Sequence, residues 1–458
     1  MTAAAVTTPR PGAAEPLRHA GGRPVVALLP WGDLIEDYLD AVGLSLDAFC
    51  DEMTGGWLFG YVEALQRAGW EPVLYVFSGH VRCPERRRHA PTGATLWVLP
   101  PSRAYRWLRR ATAPDERRPN SQAARWLRRL RGEVRAEVAP YLATPPWRLA
   151  RALRRERCAA VLCQEYEYPR FDVCVVLGKV LRIPVYATAQ GGTGPAGWIE
   201  RRLRPRAVRA AAGLVAAAER EAARVAAAYG VPPSRIARVF NPLDLAAWRV
   251  PAREEARGAL GIPGSAVVVA WHGRVAVAAK GLDVLLEAWA QIERRSEGRD
   301  VRLLVVGAGP DADAFRERIR ALGLRKLTWV DAFVLDRSQV RRYLAAADVY
   351  AFPSRHEGFP VAPVEAMATG LPLVAADAPG VRDILPRGEA DGGLVVPRGD
   401  AAALAAALAR LIDDAPLRER MGWRARARVE AAFSTEAVGA QLAALLAPTP
   451  RRDGRVAR

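Results

Sequence analysis

The sequence predicts an α/β protein built from two doubly wound units in tandem. Three observations carry that prediction. At 458 residues the chain is too long for one unit at roughly 150 residues per domain. Short apolar runs of strand length alternate with stretches of helical spacing, the signature of parallel strands covered on both faces by helices. The alternation then resets at Asn241-Pro242-Leu243-Asp244, a run of turn residues followed by the charged, Pro- and Gly-punctuated segment Pro251–Gly264.

In the first series Val25–Leu29 reads as a strand, and a long connection leads to a helix over Gly56–Ala68 that stops at Gly69. Strands follow at Val73–Phe77, Val161–Cys163 and Val185–Ala189, with a helix over Val173–Leu181. Alanine-rich propensity predicts helix from Ala207 to Tyr229. The second series begins with strand Ala266–Ala270, helix Gly281–Ile292, strand Leu303–Val306 and helix Asp311–Leu322. It continues with strand Leu327–Val330, helix Gln339–Ala346, strand Val349–Phe352, helix Val361–Thr369, and strands Pro372–Ala376 and Leu394–Val396. Helices over Asp400–Asp413, Pro416–Phe433 and Thr435–Leu446 close it. The reading divides the chain into a disordered tail (1–23), an N-terminal unit (24–243), a linker (244–265), a C-terminal unit (266–433), a last helix (434–447) and a tail (448–458). Ligands of such sheets bind beyond the carboxyl ends of the strands, so two facing units would hold a site in the cleft between them.

Half of the chain is apolar and a quarter is charged, which supports sizeable cores and excludes wholesale disorder. No apolar run approaches the ~20 residues needed to span a bilayer, and the N-terminus lacks the pattern of a secretion signal. Five cysteines without a CxxC pair point to reduced thiols in a cytoplasm. The net charge is +18, and only Lys179, Lys280 and Lys326 of the 67 basic residues are lysine. Residues 103–157 hold 16 arginines against five acidic residues, +11 of that total.

The densest chemical signal runs from Ser354 to Gly370, SRHEGFPVAPVEAMATG. It reads as a strand, a Gly/Pro turn and a helix opening near Val361, so that the amides of Gly358, Phe359 and Val361 can face an anion or sugar hydroxyls. Glu357 sits before that helix and Glu365 inside it. A second cluster, Trp271-His272-Gly273-Arg274 through Lys280-Gly281-Leu282-Asp283, follows a strand and opens a helix. Arg274 and Lys280 project from one loop, and two cations there suit a diphosphate whose charge must be compensated as a bond to it breaks. Val305-Val306-Gly307-Ala308-Gly309-Pro310 adds a strand followed by a G-x-G turn. Asp311-Ala312-Asp313 has a D-x-D form, but its place after that turn favours helix capping over metal binding. The five histidines show no ligand spacing, and no metal is expected; His356 reads as a solvent-facing neighbour of Glu357.

Together these runs resemble the group 1 (family four) retaining glycosyltransferases of the GT-B fold, strongly over 266–400, fairly over 207–250 and loosely before 200. The resemblance implies two Rossmann-like domains facing across a cleft. The C-terminal domain would take a nucleotide-diphosphate sugar and the N-terminal domain a glycan, lipid-linked or small-molecule acceptor. It implies that Arg274 and Lys280 hold the donor diphosphate as leaving group, that Glu357 lies at the sugar, and that Glu365 binds the ribose hydroxyls. The amides of Gly358 and Phe359 would meet sugar or phosphate, Gly309 would line the same pocket, and His272 would either touch the sugar or phosphate or serve a structural role. Gly55 and Gly56 precede a helix as the family's phosphate-side glycine turn does. Retention by same-face displacement, in which the departing phosphate takes the acceptor's proton, needs no carboxylate nucleophile and no cofactor. The last helix is expected to cross back onto the first domain. Four positions depart from the family: Asn-Pro-Leu-Asp stands for Asn-Gly-Val-Asp, Gln164 and Gln190 stand where histidines are usual, and Asp383 replaces a glutamate.

Within 103–157, Trp126, Leu127, Leu130, Val134 and Val138 fall on one helical stripe and the arginines elsewhere, a composition suited to an anionic membrane face. The alternative is a solvated helix packing its stripe on the first sheet. The acidic connection Asp33–Glu52 would wall the acceptor pocket. The expected function is thus a cytoplasmic, retaining, metal-independent glycosyltransferase with a peripheral membrane contact. A same-fold nucleotide-sugar epimerase or phosphorylase is the alternative. Nucleic-acid binding is not expected, because the basic excess is confined and no recognition motif accompanies it.

Overall fold

The computed structural model describes residues 22–30, 32–54, 56–110, 132, 135–189, 197–246, 248, 251–296, 298–334, 336–357 and 359–447. Eight strands form the first sheet: β1 (Val25–Leu29), β2 (Glu71–Phe77), β3 (Glu85–Arg88), β4 (Thr95–Leu99), β5 (Ala160–Cys163), β6 (Val185–Ala189), β7 (Gly213–Ala216) and β8 (Ile236–Arg238). Their order is β3-β4-β2-β1-β5-β6-β7-β8, and the ladder is parallel except for the β3–β4 pair. The second sheet holds β9 (Val267–His272), β10 (Val301–Val306), β11 (Leu327–Val330), β12 (Val349–Phe352), β13 (Leu373–Ala376) and β14 (Gly393–Val396). Its order is β11-β10-β9-β12-β13-β14, parallel throughout.

Parallel strands are covered on both faces, so their side chains are apolar on both. In β1, Ala27 and Leu29 join one core while Val26 and Leu28 join the other, as the two-residue period of a strand requires. Both sheets reverse their winding beside their first strand, between β1 and β5 and between β9 and β12. At such a reversal the flanking connections leave on opposite faces and open a crevice at the carboxyl edge.

The helix expected over Ala207–Tyr229 is instead a helix ending at Ala210, strand β7 and a new helix over Glu219–Tyr229. All four residues of β7 are buried, and the strand pairs on both sides, Tyr186↔Gly213 and Leu214↔Ile236. Helix propensity differs by only tenths of a kcal/mol among ordinary residues, too little to oppose two complete ladders. The stretch read as a linker contains the helix Arg253–Leu260. Its buried Arg257 pairs with Asp348 at 2.6 Å and donates to the carbonyls of Ala346 and Gly264, which ties this segment to the second sheet.

Among the described residues the units meet at several points. The Thr435–Leu446 helix lies along Gly56–Arg67, placing Val438, Leu442 and Leu446 in the core of the first unit. Leu243 N–H donates to Phe433 O (2.8 Å), and Leu243 O accepts from Thr435 N–H (3.2 Å). Phe240, Phe359 and Phe433 stack with centroid separations of 4.6–6.0 Å. Asp383, beyond the carboxyl end of β13, accepts from the Glu219 amide (3.1 Å) and from Arg238, beyond β7 and on β8. The carboxyl edges of the two sheets therefore face each other.

Leu442 is fully buried at this crossing. Leu442→Ala should lower unfolding stability by about 2–5 kcal/mol, the usual loss for a core leucine, read from the urea midpoint. A loss within 0.5 kcal/mol would show that this helix does not dock on the first unit.

Candidate active site

The crevice between β9 and β12 collects the motif residues. The loop after β9 is threaded between its neighbours by backbone contact. Gly307 has φ +141, and a Cβ on it would lie 1.8 Å from Gly273 O; Gly281 has φ +62, and a Cβ there would lie 2.1 Å from Pro353 O. No side chain fits at either position, and the second conformation is costly for any residue but glycine. Gly309 is turned against Val275 in the same way, its place for a Cβ 2.2 Å from Val275 O. The structure thus shows Gly309 as a packing residue of the loop that carries Arg274.

The loop after β12 is stitched to the same segment. Arg355 and His356 amides donate to Ala279 O (3.0 and 3.3 Å), and the Arg355 guanidinium grips Asp283 through two bonds of 2.7 and 2.8 Å. This stitching brings Lys280 Nζ to 2.7 Å from Glu357 Oε1, so the cation and the carboxylate singled out in the sequence form one pair. Arg274 is exposed, and among the described residues no carboxylate lies within 4 Å of it. Its charge is uncompensated. His356 is exposed beside the pair.

Behind them lies a buried network. Glu365, 3% exposed, receives Arg337 on Oε1 and the His272 Nε2–H on Oε2, the latter at 2.9 Å. The other ring nitrogen, Nδ1, accepts from the Tyr350 hydroxyl at 3.0 Å. Both ring nitrogens of His272 are therefore occupied. Burial, reinforced by the positive charge of Arg337, pushes the imidazole's pKa down to about 3; with Arg337 already balancing Glu365, the ring stays neutral. Arg337 also lies 5.5 Å over the Trp248 ring. The sequence reading missed Arg337 and Tyr350: one sits among Arg337, Arg341 and Arg342 on an arginine-rich helix, the other inside a strand. Neither carries a local signal.

The helix after this turn is Ala362–Ala368, with Val361 at its N-cap, 44% exposed. Phe359 packs into the aromatic contact between the units. The D-x-D run is structural: Asp311 accepts from the Val277 amide at 2.8 Å and Asp313 pairs with Arg316 at 2.7 Å. Gly56 opens its helix, while Gly55, Gln190 and Gly358 lie outside the described residues. Gln164 follows β5, in the crevice of the other sheet.

The neutral His272 has a consequence for stability. Its pKa is about 3 in the fold and about 6.5 when unfolded. The unfolded chain binds the extra proton between those values, so stability from this group rises with pH across that window and is complete above it. The slope reaches at most about 1.4 kcal/mol per pH unit. His272→Gln should flatten the acid limb of the stability–pH curve between pH 6.5 and 3 by up to that slope; parallel curves for the two proteins would contradict the assignment.

Residues 266–414 match the family model of group 1 glycosyl transferases. The chain is 34% identical over 237 residues to a D-inositol 3-phosphate glycosyltransferase of Kineococcus radiotolerans, covering 49% of this chain and 54% of that protein. It is 32% identical over 255 residues to an alpha-D-kanosaminyltransferase of Streptomyces kanamyceticus, covering 54% and 62%. The chain thus spans about half to three-fifths of the length of these curated relatives. Its fold is similar to that of Anabaena HepE solved with UDP, with a TM-score of 0.64 at 16% identity over 92% of this chain and 99% of that one. It is also similar to sucrose-phosphate synthase from Thermosynechococcus elongatus, with a TM-score of 0.60 at 20% identity over 92% and 98%. At such identities the likeness is one of fold. The motif loops, the family match and the two facing sheets converge: the C-terminal unit is similar to group 1 glycosyltransferases over residues 266–414, in a chain whose fold is that of GT-B proteins.

Proposed function

We propose that the protein transfers a sugar from a nucleoside-diphosphate donor to an acceptor hydroxyl with retention of anomeric configuration. The observation that carries the reading is the pairing of Lys280 with Glu357 at the winding reversal of the second sheet, with the exposed Arg274 on the same loop after β9. Arg274 and Lys280 would bind the diphosphate and stabilise it as the glycosidic C1–O bond breaks. Glu357, steered by Lys280, would hold the sugar's hydroxyls beside the developing positive charge at C1. The acceptor oxygen would attack from the same face, its proton passing to the departing phosphate oxygen. Glu365 suits the ribose: a carboxylate has about four acceptor positions, and Arg337 and His272 use two of them. With two side-chain cations at the leaving group, the reading calls for no metal and no cofactor. An epimerase or phosphorylase would use the same cations, but both named curated relatives are transferases.

The acceptor class is a glycan, a lipid-linked molecule or a small molecule. One observation favours a peripheral membrane contact. Trp107, Trp147 and Trp198 are 70%, 63% and 61% exposed, and the helical segment 135–143 links the last two. Glu137 accepts from the Trp198 and Ile199 amides (3.2 Å), while Tyr141 and Leu142 share a cleft with Trp147, Arg103 and Arg148. Tryptophan with arginine is the pairing of a headgroup interface. Most of the stripe expected around Trp126 lies outside the described residues. Among those described, no helix is long and apolar enough to cross a membrane.

Screening UDP-, GDP- and ADP-sugars for nucleotide release with and without acceptor tests the reading. With the donor found, Lys280→Ala and Glu357→Ala should each lower turnover by 10²–10³, about 3–4 kcal/mol of lost transition-state stabilisation. Near-wild-type rates in both would refute it, and inversion at C1 in the product's NMR spectrum would refute retention. In flotation assays the protein should bind vesicles containing anionic lipid and not neutral ones, and Trp147→Ala with Trp198→Ala should lower that binding at least fivefold. Unchanged binding would remove the membrane reading.

A further inference from the structure

A cavity opens at the other end of the second sheet, away from the donor loops. Asp348 precedes β12 and Pro372 precedes β13, so the cavity they line lies at the amino edge, whereas Arg274, Lys280 and Glu357 follow the carboxyl ends of their strands. It holds about 570 Å³, and Arg253, Arg418, Arg426 and Trp423 line it with those two residues, a volume that suits a small molecule. Small residues make the room. Ala368, Gly370 and Gly422 add no bulk to the lining. Gly422, on the helix Ala415–Ala432, has no space for a side chain, because a Cβ there would lie 2.3 Å from Gly370 O.

Arg418 brings a guanidinium that the protein leaves partly unused. Its Nη1 donates to the carbonyls of Leu411 (2.7 Å) and Ile412 (3.0 Å), which fixes the group in place. Among the described residues its Nε and Nη2 have no acceptor, and no carboxylate lies within 4 Å. Asp348 acts on it electrostatically, but that carboxylate is already shared. Arg253 donates to its Oδ1 at 2.8 Å, and Arg257 and the Val268 amide donate to its Oδ2 at 2.6 and 2.8 Å. Two guanidiniums on one carboxylate leave a positive surplus before Arg418 is counted. Arg426 is satisfied by Glu430 at 2.7 Å and by the Ala368 carbonyl. Glu419 also lines the cavity but is exposed, where salt and water screen its charge. Trp423 is 72% exposed, and among the described residues no ring or cation covers its indole.

We propose that this cavity binds a flat aromatic ring carrying a phosphate group, the ring on the Trp423 indole and the phosphate on the Arg418 and Arg253 guanidiniums. Each part of the ligand answers one feature of the site. A second ring stacked on the indole removes its exposed face from water and adds the attraction of offset aromatic surfaces. The fork of a guanidinium matches two phosphate oxygens at once, and a dianion offsets the positive surplus. A neutral ring would leave Arg418 without an acceptor, and a bare phosphate would leave the indole uncovered. The site shares no residue with the donor site and does not depend on the transferase reading. The two are joined through one helix: Thr369 lines the cavity, and its hydroxyl donates to Glu365 O at 2.9 Å and accepts from Trp248 Nε1 at 3.1 Å.

Calorimetry at pH 7 with phenyl phosphate, inorganic phosphate and phenol separates the ring from the charge. Phenyl phosphate should bind at least tenfold more tightly than either of the others. Trp423→Ala, a change at an exposed position, should bring phenyl phosphate to within threefold of inorganic phosphate. Arg418→Gln should weaken the binding of both phosphates tenfold or more. Arg418 also holds two carbonyls, so Trp423→Ala decides the matter if Arg418→Gln does not fold. Lys280→Ala should bind phenyl phosphate as the unchanged protein does. No binding of phenyl phosphate, equal affinity for inorganic phosphate, or full affinity in Trp423→Ala would overturn the proposal. Loss of binding in Lys280→Ala with retention in Arg418→Gln would place the ligand at the donor loops and overturn it as well.

Discussion

Backbone contact among three loops at the carboxyl edge of the second sheet is the constraint on which the site depends. Gly273 meets Gly307, Val275 meets Gly309, and Gly281 meets Pro353, at distances that exclude any Cβ. Interiors packed this closely transmit a shift of one segment to the next. The loop after β9 therefore cannot slide without moving the loops after β10 and β12, and Arg274, Lys280 and Glu357 ride on them. The Arg355–Asp283 clamp and the two amides on Ala279 O hold the same joint from the outside. Positions fixed before a ligand arrives need no reordering when it binds, which is the main source of electrostatic stabilisation in a preorganised site.

The charges at the second sheet are largely balanced within the site. On the second sheet, Glu365 is balanced by Arg337 and hydrogen-bonded by a neutral His272, and Glu357 is balanced by Lys280. What remains is Arg274, exposed on the loop after β9 and without a carboxylate within 4 Å among the described residues. In the buried ion pairs elsewhere, Arg257–Asp348 and Arg204–Asp172, the carboxylates accept a further bond each, from the Val268 amide and the Tyr141 hydroxyl. The exposed Arg274 thus sits on the loop beside the winding reversal of the second sheet, where topology places the ligands of a doubly wound sheet.

How much could be read from residues alone differs between the halves. In the second unit every strand was legible, because each is a short apolar run bounded by Gly, Pro or Asp, and the helices between them have regular spacing. In the first, β3 escaped notice since Glu85-Arg86-Arg87-Arg88 has no apolar face. It is an edge strand, and its charges pair outward with Glu156 and Asp47, the usual protection of a sheet edge. Strand β7 was hidden inside alanine-rich sequence whose local preference is helical. Of the site, Lys280, Glu357 and Glu365 were legible from their spacing, and Arg337 was not, because one arginine among three on a helix carries no mark of its partner.

The order of strands and helices, the two-unit plan and the loop residues with phosphate- and sugar-binding chemistry follow from local pattern, since periodicity, turn chemistry and residue type are properties of neighbours in the chain. Which charges neutralise one another follows from the fold alone. Lys280 and Glu357 are separated by 77 residues, and His272 and Glu365 by 93; only the winding of the second sheet brings each pair together.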